Sequence, residues 1–185
     1  MPTMPLQLGA YHIIDRNEWE PQRTNNFEVQ FPGLGNLVTI DQRIALPENA
    51  TDLLTLSVKS VSYPSTNIDK LTFFYGNNSV NFAGKPNYGD VEIVVTDFIG
   101  LQTERILMAW SRLVYDPKTE TIGWASQYKR DGYLMEYSPD GTVVRRTQLR
   151  GCFPGTISPG GFDNSGNDLR EISATFYCDV AIPLD

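Results

Sequence analysis

The sequence predicts a mainly β protein: an antiparallel β-sandwich or barrel with one α-helix packed against it. Three observations carry that reading. The final stretch alternates, with Ile172, Ala174, Phe176, Cys178, Val180 and Ile182 on one parity and Ser173, Thr175, Tyr177 and Asp179 on the other, the period of a half-buried strand. Two turn signals, Gly76-Asn77-Asn78 and Ser138-Pro139-Asp140-Gly141, each separate two strand-like runs, as hairpins do. Only one segment, about 102–114, repeats its apolar residues at a helical period.

The elements follow in order. Residues 1–24 contain Pro2, Pro5 and Pro21 with no sustained period and read as an N-terminal arm. Residues 25–185 read as a single β domain without internal repeats. Phe27, Val29 and Phe31 alternate with Glu28 and Gln30, a strand stopped by Pro32-Gly33. A short strand is expected at Leu37-Val38-Thr39-Ile40. Residues 41–53 form a long connection centred on Pro47-Glu48-Asn49, and connections of that length are commonly functional. Strand signals resume at Leu54-Thr55-Leu56-Ser57-Val58, and a bulge near Lys59-Ser60 explains the change of apolar parity at Val61 and Tyr63.

Leu71–Tyr75 and Ser79–Phe82 make a hairpin, and Val91, Ile93 and Val95 share one strand face. Ile106, Ala109, Trp110 and Leu113 form the helical stripe, which has no strong N-cap and ends at Asp116-Pro117. Tyr133–Tyr137 and Thr142–Arg150 flank a type I turn. The second of these strands is expected to stop within Leu149-Arg150-Gly151-Cys152-Phe153-Pro154-Gly155, with Pro154-Gly155 ending the pairing. A glycine-rich loop, Ser158–Asn167, leads to the terminal strand.

Composition narrows the function. Of 185 residues, 41% are hydrophobic and 11% aromatic, which argues against disorder. Twenty-two acidic and 15 basic side chains give a net charge of −7, unlike a general nucleic-acid binder. No secretory leader is expected, and the densest apolar run, Ile106–Trp110, is far short of the roughly 18 residues of a membrane helix. The chain is therefore expected to be soluble and made in the cytoplasm.

The inventory for catalysis is thin. A Cys or Ser nucleophile needs a base, and the single histidine, His12, lies in the arm. There is no G-x-S-x-G elbow. Asp131 with Glu136, or Glu92 with Asp97, read as solvated acids at strand ends rather than a glycosidase pair. Asp163-Asn164-Ser165-Gly166-Asn167-Asp168 resembles a calcium loop but has Ala174 where the twelfth-position glutamate belongs, so an Asx turn is expected. Ser158-Pro159-Gly160-Gly161 has no following lysine and is no P-loop. Two cysteines make neither a disulfide scaffold nor a zinc site. No catalytic, cofactor or metal residues are assigned. Cys178 shares the core parity of its strand. Cys152 shares parity with Arg146, Gln148 and Arg150, the polar side, although Gly151 is able to shift that register.

The ordered set of Asn26–Phe31, Val80-Asn81-Phe82-Ala83-Gly84, Asp90–Thr96, a single helix carrying Trp110 near its end, Lys129–Arg150, Leu149–Pro154 and the terminal strand resembles the tail-tube protein family of contractile-tailed bacteriophages. That fold is shared with the inner tubes of R-type bacteriocins and type VI secretion systems. The likeness covers about residues 25–185; the arm and the 41–53 loop are longer than the family pattern. It implies a non-enzymatic subunit without cofactors, forming homohexameric rings that stack into a hollow tube. The expected setting is a virion tail assembled in the host cytoplasm, with sheath, baseplate and terminator proteins as partners. DNA passes the lumen without specific binding, which an acidic chain suits, and no membrane insertion is expected.

Ring-to-ring candidates are Arg43, Pro47, Glu48, Asn49 and Asp52; subunit-boundary candidates are Arg146, Arg150 and Cys152. The alternatives are a baseplate-proximal tube protein, an inner tube of a bacteriocin or secretion apparatus and, more remotely, a β-sandwich binding or hydrolytic domain.

Overall fold

The computed structural model describes residues 21–36, 47–100 and 102–184. Most of the N-terminal arm, the strand expected at Leu37–Ile40 and the candidate Arg43 lie outside the described residues. The first strand, β1 (Phe27–Gln30), buries Val29 and leads to the buried Phe31 and Leu34. It is followed by α1 (Ala50–Ser57) and β2 (Val58–Val61). Helix α1 corrects the expected strand at Leu54–Val58 and ends the long 41–53 connection at Ala50. Leu54 and Leu56 alternate like a strand, but Ala50, Leu54 and Ser57 fall at i, i+4 and i+7 and are the residues buried, whereas Leu56 is 71% exposed. The bulge expected near Lys59-Ser60 is present: Val58 pairs with Val95 and Ser60 with Val94, skipping Lys59.

Strands β3 (Thr66–Tyr75) and β4 (Asn78–Tyr88) form a two-stranded ribbon turning at Gly76-Asn77. Strand β5 (Val91–Thr96) then buries Val91, Ile93 and Val95. The principal helix, α2 (Thr103–Val114), buries Ile106, Leu107, Ala109, Trp110 and Leu113 and lacks a side-chain N-cap, as its sequence suggests. Fully buried apolar side chains of this size contribute about 1.5–3 kcal/mol each. Two short strands, β6 (Tyr115–Asp116) and β7 (Thr121–Ile122), and a one-turn helix, α3 (Ala125–Tyr128), follow. The described residues therefore hold three α-helices rather than the single one expected, within a mainly β architecture.

Strands β8 (Arg130–Tyr137) and β9 (Val143–Pro159) form the long hairpin. Gly141 N–H donates to the Ser138 carbonyl at 2.9 Å, and Gly141 takes φ +85, so glycine suits that position. Asp140 accepts from the Thr142 N–H at 3.1 Å and its hydroxyl at 2.8 Å. These bonds hold the Asp140 carboxyl below the ordinary carboxylate range. A depressed folded pKa means the turn is fully supported above the unfolded value near about 4, and that support is lost as pH falls through the folded value. An NMR titration of Asp140 is expected to give a midpoint below that of an unfolded peptide; a midpoint at or above the peptide's removes this support.

The last strands are β10 (Glu171–Tyr177) and β11 (Val180–Leu184). The single terminal strand expected from the alternation thus breaks at Cys178-Asp179. The main sheet runs β1-β8-β9-β10-β5-β2, antiparallel throughout, with β11 continuing beside β9. It wraps α2, and Phe31, Trp110 and Phe176 meet at its centre with ring centroids 5.1–5.3 Å apart. Trp110 Nε1 donates to the Tyr128 carbonyl at 2.7 Å, so the buried indole is satisfied.

The sheet's two outer strands differ. The Thr51 and Thr55 hydroxyls of α1 donate to the carbonyls of Phe31 and Val29, each at 3.0 Å, filling acceptors on the free side of β1. The free side of β2 has no strand hydrogen-bonded to it among the described residues, and β1 lies near it across a groove.

Strand β9 corrects a second expectation. Pairing does not end at Pro154-Gly155 but runs on to Pro159, because β9 passes from β8 to β10. Pro154 lies beside the register slip between Thr175 and Phe176, where a missing N–H is tolerated.

Candidate assembly surface

Gly151 sets the geometry at the middle of β9. Its φ of +64 lies in the left-handed region, and a Cβ there would sit 2.2 Å from Asp179 Oδ2. The buried parity switches across it, from Thr147 and Leu149 to Cys152 and Pro154. Cys152 is therefore fully buried, which corrects its placement on the polar face as an exposed boundary thiol. A hydrogen bond with Cys178, followed by burial, pushes the Cys152 thiol above its ordinary pKa. Cys178 is half-buried against the core, as its parity suggests. In the native chain a thiol reagent is expected to modify Cys178 and spare Cys152 until the chain unfolds; equal labelling rates would contradict the burial.

The other boundary candidates lie on β9 and have partners within the chain. The Arg146 guanidinium stacks 4.3 Å from the Tyr133 ring, and Arg150 Nε donates to Gln148 at 3.3 Å. Nearby, Lys129 pairs with Asp179 at 2.7 Å, and Asp131 accepts the Gly151 N–H at 3.0 Å. The ring-to-ring candidates within the described residues gather at the start of α1. Glu48, Asn49 and Asp52 are exposed and Pro47 is half-buried, its carbonyl accepting from Ala50 N–H at 2.9 Å.

Among the described residues, the β3–β4 ribbon is an exposed apolar feature that the sequence names as a hairpin and nothing more. In the β3–β4 ribbon, Leu71 faces Phe82 and Phe73 faces Val80 across the ladder, with Tyr75 next in line. These five residues share one face, by the parity of strands. The other face carries Lys70, Ser79 and a Thr72–Asn81 hydrogen bond of 3.0 Å, together with the exposed Ile68 and Phe74. The apolar face is open, Leu71 being 63%, Phe73 59% and Tyr75 77% exposed. The sequence signal was present in the Leu71, Phe73, Tyr75 alternation, which in isolation looks like that of a core strand.

Two grooves accompany the ribbon. One, of about 770 Å³, lies between β1 and the free side of β2 and is lined by Phe27, Val58, Val61, Tyr63 and Leu134. The other, of about 430 Å³, lies where β5 gives way to α2 and includes the exposed Phe98 and Ile99. Beside it, Arg170 bridges Asp97 at 2.6 Å and Glu104 at 2.7 Å and stacks on Phe162. The ribbon leaves the sheet at the opposite end of β5, where Gly89 N–H bonds the Ser65 carbonyl.

Among the described residues, no three His, Cys, Asp or Glu side chains are grouped to hold a metal ion. No described helix is long and apolar enough to cross a membrane. Asp163 accepts from the Ser165 N–H and hydroxyl, at 2.9 and 2.7 Å, forming the expected Asx turn.

No family model matches the chain. The tail tube protein gp19 of Enterobacteria phage T4 is 21% identical over 128 residues, covering 68% of this chain and 78% of that protein. The sheath–tube complex of the PVC extracellular contractile injection system, in its extended state, contains a chain superposing with TM-score 0.65. That chain is 18% identical, with 91% of this chain and 94% of that one covered. The tube-terminating cap of the anti-feeding prophage superposes with TM-score 0.64 at 17% identity, covering 89% and 91%. Over about nine-tenths of its length the chain shares the fold of these contractile-system proteins, and over 128 residues it is similar to a tail tube protein.

Proposed function

We propose that this chain is a structural subunit of a contractile tail tube, assembling with copies of itself into stacked rings around a channel. The observation that carries the reading is the β3–β4 ribbon, whose apolar face is largely exposed among the described residues. An aromatic side chain buries roughly 150–250 Å², so this five-residue face offers on the order of 500 Å². A stable interface buries about 800 Å² per partner, and the ribbon supplies much of that. The free side of β2 is a second surface suited to a neighbouring strand. Rings stacked head to tail propagate as a tube. Pro47, Glu48, Asn49 and Asp52 remain candidates for ring-to-ring contact, and Arg146 and Arg150 for the boundary within a ring. The net charge of −7 suits a lumen that repels phosphate.

Negative-stain microscopy of the purified full chain is expected to show hollow stacked rings. Six-fold class averages would support the hexamer, and a chain that stays monomeric at every concentration and is absent from particles would refute the reading. The fold likeness extends to a tube-terminating cap and to a baseplate chain of the anti-feeding prophage, the latter at TM-score 0.60. A role at one end of the tube is therefore the second reading. Copy number per particle separates them: a tube subunit is present in many rings and an end protein in one or two.

A further inference from the structure

Cys152 and Cys178 are both free thiols. The ladder between β9 and β10 pairs Phe176 with Pro154 and Tyr177 with Phe153, so Cys178 and Cys152 are the next residues across from one another. Beyond them Asp179 N–H donates to the Arg150 carbonyl at 2.9 Å, and the Asp179 carboxylate faces Gly151. The two segments therefore stay in step past the cysteines. Both side chains pack into the same core, Cys152 fully buried and Cys178 half-buried. Facing residues of an antiparallel pair have Cα atoms about 4.5–5.5 Å apart, within the roughly 4.4–6.8 Å that a disulfide spans.

We propose that Cys152 and Cys178 form a modification site, a cross-strand dithiol that a small-molecule disulfide oxidises to an internal disulfide. Cys178 is the entry thiol because it is the one solvent reaches. Its thiolate attacks one sulfur of the small disulfide, the S–S bond breaks, and the other half leaves as a thiol after taking a proton. Cys152, which burial keeps protonated and unreactive toward solvent reagents, then gives up its proton and attacks Cys178 Sγ. The second half of the small disulfide leaves as a thiol. In total two protein thiols are oxidised to one disulfide and one small disulfide is reduced to two thiols. The bond forms beside Gly151, where β9 changes its buried face, and spans the break between β10 and β11. The inference does not depend on the tube reading.

The test uses the full chain, purified reduced, brought to equilibrium with oxidised glutathione, then unfolded in acid, alkylated and mapped by mass spectrometry. The expected product has lost about 2 Da, resists alkylation at both cysteines and yields one linked Cys152–Cys178 peptide. Its melting temperature is expected to rise by roughly 5 °C or more over the reduced chain. Cys152→Ser is expected to stop at a glutathione adduct on Cys178, and Cys178→Ser to give no product, with both variants keeping the native circular dichroism spectrum. A stable glutathione adduct on the native chain, a disulfide between chains, or two free thiols at equilibrium would each overturn the proposal.

Discussion

Trp110→Ala is expected to destabilise the fold by about 3–5 kcal/mol, the range for deleting a buried tryptophan. The indole is completely buried between Phe31 and Phe176 and touches both rings. Its Nε1 bond to the Tyr128 carbonyl also holds α3 against α2, so truncation leaves a cavity and an unmet acceptor together. A domain of this size has about 5–15 kcal/mol in total, so the variant should unfold at a much lower urea concentration than the parent. A midpoint unchanged within error would mean that the aromatic cluster does not hold the sheet to the helix.

Gly151→Val is expected to cost about 3 kcal/mol. Left-handed backbone costs an L-residue roughly 1–2 kcal/mol, and forced overlap in a packed site adds roughly 1–3. The overlapping group is the Asp179 carboxylate, which Lys129 holds in place. Gly161→Val is the control: no atom lies within 4 Å of its Cβ position, so a change within about 0.5 kcal/mol is expected. The substitution at Gly151 should also make Cys152 reactive toward thiol reagents, because the residue that turns it inward is gone. Equal urea midpoints for the two variants would show that the positive φ of Gly151 is not needed.

Much of this architecture was legible in the sequence because burial on one face imposes a period. Val91, Ile93 and Val95 alternate because one side of β5 faces the buried core, and Ile106, Ala109, Trp110 and Leu113 repeat helically because one side of α2 does. Helix α1 was missed because Leu54, Leu56 and Val58 fit a strand while Ala50, Leu54 and Ser57 fit a helix. Tertiary contact decides between them, through the Thr51 and Thr55 hydroxyls bonded to the β1 side of the sheet. Cys152 was misplaced because counting parity along a strand holds only while every residue is extended, and Gly151 is not. Pro154 looked like a stop signal, yet it falls where the ladder slips. The ribbon was read as a hairpin, but its exposure was invisible: an exposed apolar face alternates just as one turned toward its own core.

The unequal flanks of the main sheet give the domain a direction. An approaching strand meets acceptors already filled by threonine hydroxyls beside β1, whereas no described strand is hydrogen-bonded to the far side of β2. Pairing of two copies β1 to β1 would first have to displace those hydroxyls, so the β1 flank is the less receptive to an added strand.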